Sequence, residues 1–103
     1  MKRTSDVPDV GNERSLPHNL EAERAVLGAI LVNTAVLDQV APRLQPAQFY
    51  RDAHRRIYTA MLALHQRHVR VDFVTLKEEL ARVGAVDVVG GPAYIAALGD
   101  GVP

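Results

Sequence analysis

Residues 16–31, Leu16-Pro17-His18-Asn19-Leu20-Glu21-Ala22-Glu23-Arg24-Ala25-Val26-Leu27-Gly28-Ala29-Ile30-Leu31, decide the fold. Leu20, Leu27, Ile30 and Leu31, with Val26 beside them, recur at helical spacing and form one wide apolar stripe to about Val32. Asn19 stands where a helix cap belongs, because its side-chain oxygen can accept from a first-turn amide that has no partner within the helix. Glu21 and Glu23 then place negative charge where the macrodipole favours it. The stretch predicts an amphipathic helix starting near Leu20, with a stripe that other helices must cover. Gly28 inside it costs about 1 kcal/mol relative to alanine, and close approach of another helix is the simplest compensation.

The rest of the chain supplies those helices. Asn33 or Thr34 caps a short second helix whose buried face is Val36, Leu37 and Val40, and Pro42 halts it by withholding a backbone donor. Gln45 to Phe49 makes one further turn. From Asp52 to His68, the spacing of Ala53, Ile57, Ala60, Met61 and Leu64 predicts a longer central helix. Val69 to Val71 is extended, and Asp72 caps a helix that turns Phe73, Leu76, Leu80 and Val83 inward and ends at Gly84. Gly90-Gly91-Pro92 resets the chain, with Pro92 suited to a first helical position. A last helix over Ala93 to Leu98, anchored by Tyr94, Ile95 and Leu98, closes at Gly99. No useful length alternates apolar and polar residues, and no internal repeat is present. The fold class is all-α, a compact bundle of five or six short helices.

Composition agrees. The 103 residues are 48% apolar and 23% charged, ordinary for one globular domain. Met1 to Ser15 holds only Val7 and Val10 as sizeable apolar residues and reads as a flexible tail, leaving 16–103 as the folded domain. Twelve basic residues balance twelve acidic ones, which removes the overall positive field of a typical nucleic-acid binder. The distribution is uneven: Arg43 to Arg70 carries six arginines against Asp52, whereas Val71 to Pro103 carries five acids against Lys77 and Arg82. With no cysteine there is neither a disulfide framework nor a cysteine zinc site, which fits the cytoplasm. The apolar run Ala25 to Val32 is too short to span a bilayer, and the N-terminus lacks a signal core.

No constellation of residues suggests catalysis. Neither lysine sits in a phosphate loop, and Gly90-Gly91-Pro92 reads as punctuation rather than an anion cradle. The only serines, Ser5 and Ser15, lie in the tail, so no hydrolytic triad has a nucleophile. His65 and His68 share no predicted face with a carboxylate, which leaves no metal site. His54, within a turn of Ile57 and Tyr58, reads as a hydrogen-bonded structural imidazole. The adjacent Glu78 and Glu79 read as a solvated face. Arg51, Arg55 and Arg56 are the candidate partner contacts, with Arg67 and Arg70 nearby. A small DNA-binding domain built on the Arg51 to Arg70 region is the alternative reading.

Taken in order, the segment 16–31, then Phe49-Tyr50 with His54, Ile57-Tyr58 and Ala60-Met61, then Val71-Asp72-Phe73-Val74-Thr75-Leu76 with Leu80, and Gly90-Gly91 with Tyr94, Ile95 and Leu98, resemble the N-terminal domain of bacterial replicative DNA helicases of the DnaB type. The resemblance implies a parent that is a hexameric, ATP-driven DNA-unwinding enzyme of the bacterial replication fork. Its N-terminal domains pair into a collar above RecA-like motors, and the collar receives the C-terminal domain of primase and, in some systems, the helicase loader. ATP and magnesium would belong to the motor, leaving this domain with no cofactor and no catalytic residue. In the family a helical hairpin, a linker helix and the ATPase follow, so this chain corresponds to the collar head. Asn19, Gly28, Asp72 and Gly84 then look like structural positions. Phe49, Tyr50, Ile57, Met61, Leu64, Leu76, Leu80, Tyr94 and Leu98 look like the core.

Overall fold

The computed structural model describes residues 17–100; the tail read at Met1 to Ser15 lies outside them. Five helices follow one another, α1 (Pro17–Val32), α2 (Ala35–Val40), α3 (Asp52–Gln66), α4 (Phe73–Arg82) and α5 (Gly91–Asp100), with a 3-10 turn at Pro46–Gln48 between α2 and α3. Among the described residues there is no strand, and no helix is long and apolar enough to cross a membrane.

Helix α1 begins at Pro17, three residues before the expected start, so Asn19 is a helical residue and not the cap. Proline suits the opening turn because its fixed φ is helical and its missing amide would have had no partner there. Leu27 and Ile30 are completely buried, and Gly28 between them is buried too. α1 packs mainly along α5, where Gly99 faces Leu31; a Cβ placed on Gly99 would stand 3.9 Å from the Leu31 Cβ, an ordinary contact. That helix runs through Gly99 to Asp100 instead of closing there, because the glycine lies on the packed face. α3 crosses the centre with Ile57, Tyr58 and Met61 fully buried, and it packs on α4, α1, α2 and the 3-10 turn.

The loops are tied by specific bonds. The Asn33 side chain accepts from the Ala35 amide at 3.1 Å, while the Thr34 hydroxyl accepts from Val71 N at 3.0 Å and pins the segment before α4 to α2. Asp72 caps α4 reciprocally: its carboxylate accepts from Thr75 N, and the Thr75 hydroxyl accepts from Asp72 N, both at 2.9 Å. Gly84 (φ +71°) ends α4, donating to Ala81 O while Ala85 N reaches back to Leu80 O. This wrap-around carries Ala85 and Val89 into the core and leaves Val83, expected inside, 57% exposed. Gly90 (φ +116°) stays close above Tyr94, where a Cβ would meet the Tyr94 Cβ at 2.9 Å.

α3 ends in the same wrap-around without a glycine. His68 N bonds His65 O, Val69 N bonds Leu64 O, and His68 itself takes φ +59°, a conformation in which its Cβ is strained. His68→Gly should therefore raise unfolding free energy by about 0.5–1 kcal/mol, and His68→Val should lower it by about 1 kcal/mol or more. Urea denaturation of the two variants checks both directions.

Candidate functional site

A buried polar chain joins three helices at the start of α3. His54 is 0% exposed, yet both its ring nitrogens are used: Nδ1 lies 2.7 Å from Glu23 Oε1 on α1, and Nε2 lies 2.6 Å from the Tyr94 hydroxyl on α5. Every polar atom is satisfied when Nδ1 carries the proton, so that the carboxylate accepts from the ring and Nε2 accepts from the phenol. Burial holds the His54 pKa below its usual 6.5; Glu23 works against that shift, while Arg51 and Arg24 reinforce it. The imidazole is thus neutral near pH 7.

The chain entering α3 is clamped from both sides. Arg51, the residue before the helix, makes no capping bond of its own. Glu23 reaches across from α1 instead, and its Oε2 accepts from Tyr50 N at 2.6 Å. One turn into α3, Arg55 turns back and donates to the carbonyls of Phe49 at 2.9 Å and Tyr50 at 2.7 Å. Phe49 is pressed into the core against Tyr58, with ring centroids 5.0 Å apart, and the Tyr58 hydroxyl donates to Leu44 O at 2.8 Å. Tyr50, expected in the core beside it, is 49% exposed, since neighbouring residues of an extended loop point opposite ways.

This arrangement redefines the candidate partner contacts. Arg51 stands over the Tyr94 ring, 5.5 Å from its centroid. Arg55 is the loop clamp just described. Arg56 donates from Nε to Asp52 at 2.8 Å, one helical turn away, and that hydrogen bond holds the Asp52 carboxyl below its ordinary value. The structure brings the three residues to one end of α3 and commits each to a contact within the fold.

The acidic pair on α4 is a correction. Glu78 is exposed, but Glu79 is only 4% exposed and accepts from Arg82 at 2.6 Å and Arg67 at 3.1 Å. The hydrogen bond from Arg82 holds its carboxylate below the usual range, with Arg67 adding to the effect. Glu79 therefore ties the end of α3 to α4. A further pair escaped sequence reading: His65 Nε2 meets Asp38 Oδ1 at 2.8 Å, bringing a carboxylate from α2 against α3. His68 lines the same hollow, yet among the described residues no group of three ligating side chains forms a metal-binding set.

No signal in the sequence marked Glu23, Tyr94 or Glu79 as polar anchors. Glu23 lies 31 residues from His54 and Tyr94 lies 40 residues beyond it, so only the folded chain shows the pairing.

Five helices tied by polar links, with the loop before α3 clamped by Glu23 and Arg55, describe a helical head domain. The chain belongs to the DnaB-like helicase N-terminal domain family, whose pattern it matches over residues 15–103. It is 47% identical over 87 residues to the replicative DNA helicase DnaB of Treponema pallidum, a match covering 84% of this chain and 20% of that protein. It is 43% identical over 95 residues to the replicative DNA helicase DnaC of Bacillus subtilis, covering 92% of this chain and 21% of the relative. The chain thus spans about a fifth of the length of these relatives. The crystal structure of the N-terminal domain of DnaB helicase from Mycobacterium tuberculosis superposes with a TM-score of 0.78 at 40% identity, covering 82% of this chain and 61% of that one.

His54→Ala should lower stability by about 2–4 kcal/mol, because it leaves the Glu23 carboxylate and the Tyr94 hydroxyl without their buried partner. The unfolded chain takes up a proton near pH 6.5 that folded His54 resists. Its contribution is therefore complete above pH 6.5 and is lost as pH falls toward the depressed folded value. Urea midpoints between pH 5 and 8 should rise with pH in the native chain and flatten in His54→Ala over that window.

Proposed function

We propose that this chain is the non-catalytic assembly and docking domain of a replicative DNA helicase. In this reading it supports the hexameric collar of the whole enzyme and receives the C-terminal domain of primase, with the helicase loader a further partner in some systems. The observation that carries the proposal is the match over residues 15–103 to a domain of replicative helicases, supported by relatives at 43–47% identity. The whole protein would be the ATP-dependent, DNA-unwinding enzyme, working in the bacterial cytoplasm at the replication fork. Its ATP and magnesium would be held by the motor domain outside these residues, and DNA would be bound by the whole enzyme.

The polar chemistry of the domain supports a docking role over an enzymatic one. His54, the side chain best placed to move a proton, is sealed from solvent and spent on joining α1 to α5. The alternative reading as a small DNA-binding domain has less support, because twelve acidic residues balance the twelve basic ones and leave no overall positive field.

Light scattering coupled to size-exclusion chromatography, run across a concentration series with and without a folded primase C-terminal domain, tests the proposal. A self-dimer or a complex with primase supports it. A monomer that gives no heat of binding with primase at high micromolar concentration overturns autonomous docking by this domain.

A further inference from the structure

We infer that the groove between α3 and the end of α4 is a docking site for an acidic amphipathic protein segment, one that seats bulky apolar side chains between the helices and sets carboxylates against a rim of arginines. The assignment is independent of whether primase binds this domain.

The groove has a volume of about 360 Å³. Ala60 and Ala63 on α3 and Ala85 beyond α4 are the small residues of its lining, beside Thr59 and the Glu79 carboxylate that Arg82 pairs, so the two helices leave depth that their own side chains do not fill. At its edge stands Val83, left 57% exposed by the glycine turn at Gly84. An isolated exposed valine is unremarkable on a protein surface; one bordering an open trough of alanines adds to a continuous apolar surface that a partner side chain could cover. Among the described residues nothing covers it.

Charge selects the occupant. Arg55 and Arg56 line one side and Arg82 the other, with side chains 39%, 50% and 64% exposed. Asp52 is shared between Arg55 and Arg56, and Glu79 between Arg82 and Arg67, so the three arginines of the rim outnumber the two carboxylates bonded to them. Glu78 faces the neighbouring hollow beyond the Glu79 bridge. Guanidinium groups that share one carboxylate keep donors free for a second, and they hold rigid forks that match carboxylate geometry. A single nucleic-acid strand would also meet the positive rim, but no aromatic residue lines the groove to stack a base. Apolar floor and basic rim together fit a helix presenting Leu, Ile, Phe or Met on one face and Asp or Glu beside it.

The test is a displayed library of random peptides of about 15 residues, selected on the immobilised 103-residue chain and counter-selected on Val83→Glu. The expected winners carry acidic residues flanking large apolar ones at helical spacing. A fluorescein-labelled winner should bind about tenfold or more weakly to Val83→Glu and to Arg56→Glu by anisotropy. Val74→Glu, as exposed as Val83 but outside the groove, should bind it unchanged. All three positions are at the surface, and thermal melts matching the native chain confirm that each variant folds. Absence of any enriched family, winners without acidic bias, or binding indifferent to Val83→Glu would each overturn the inference. So would tighter binding of labelled oligothymidine that the same two groove variants abolish, which would assign the groove to nucleic acid.

Discussion

The hydrogen-bonded chain Glu23–His54–Tyr94, centred on a fully buried imidazole, is the constraint on which the rest of the molecule depends. It joins α1, α3 and α5, elements far apart in sequence, through atoms that would be costly to bury singly. An apolar core tolerates small slides of one helix on another; a carboxylate, an imidazole and a phenol satisfied within 2.6–2.7 Å do not. The chain therefore sets the register in which Leu27, Ile30, Ile57 and Ile95 meet, and Gly90 fits the same design by keeping the backbone close above Tyr94.

Charge elsewhere in the domain divides by how far it is sealed. Glu79 is buried and doubly paired, so its loss would leave Arg67 and Arg82 without the carboxylate that organises the α3–α4 seam. Asp52 and Asp38 pair at the exposed surface, where solvent and salt weaken such contacts. The arginine excess between residues 43 and 70 is thus mostly structural in origin. Arg55 holds a loop, Arg67 holds α4 and Arg51 covers Tyr94. Of the remaining three, Arg56 lies beside the groove, across from Arg82 on α4.

The architecture was open to a reader of the sequence because helix periodicity, Asp72, Gly84 and the Gly90-Gly91-Pro92 reset are local signals, each acting within a few residues, and the family because four segments in order resemble it. The ends of helices were less legible where the stop is made without glycine. His68 turns the chain in the left-handed region although nothing in its type announces it, because the apolar seats of Leu64 and Val71 on either side demand the turn. Val83 and Tyr50 were misplaced for a related reason: periodicity cannot register that a helix has just ended or that a loop is pinned by its neighbour.

The sequence by itself determined that this protein is helical, where its helices start and stop to within a few residues, and which domain family it belongs to. The first two follow from backbone capping and from the spacing of apolar residues along the chain, and the third from the resemblance of its ordered segments to that family. Only the tertiary structure decided that Glu23 clamps the loop before a helix on another segment, that His54 is neutral and sealed, that Glu79 is an anchor, and that an apolar trough with a basic rim remains open. Those are pairings across tens of residues, and the free energy that makes them, desolvation balanced by a partner's hydrogen bonds, exists only once the partners have been brought together.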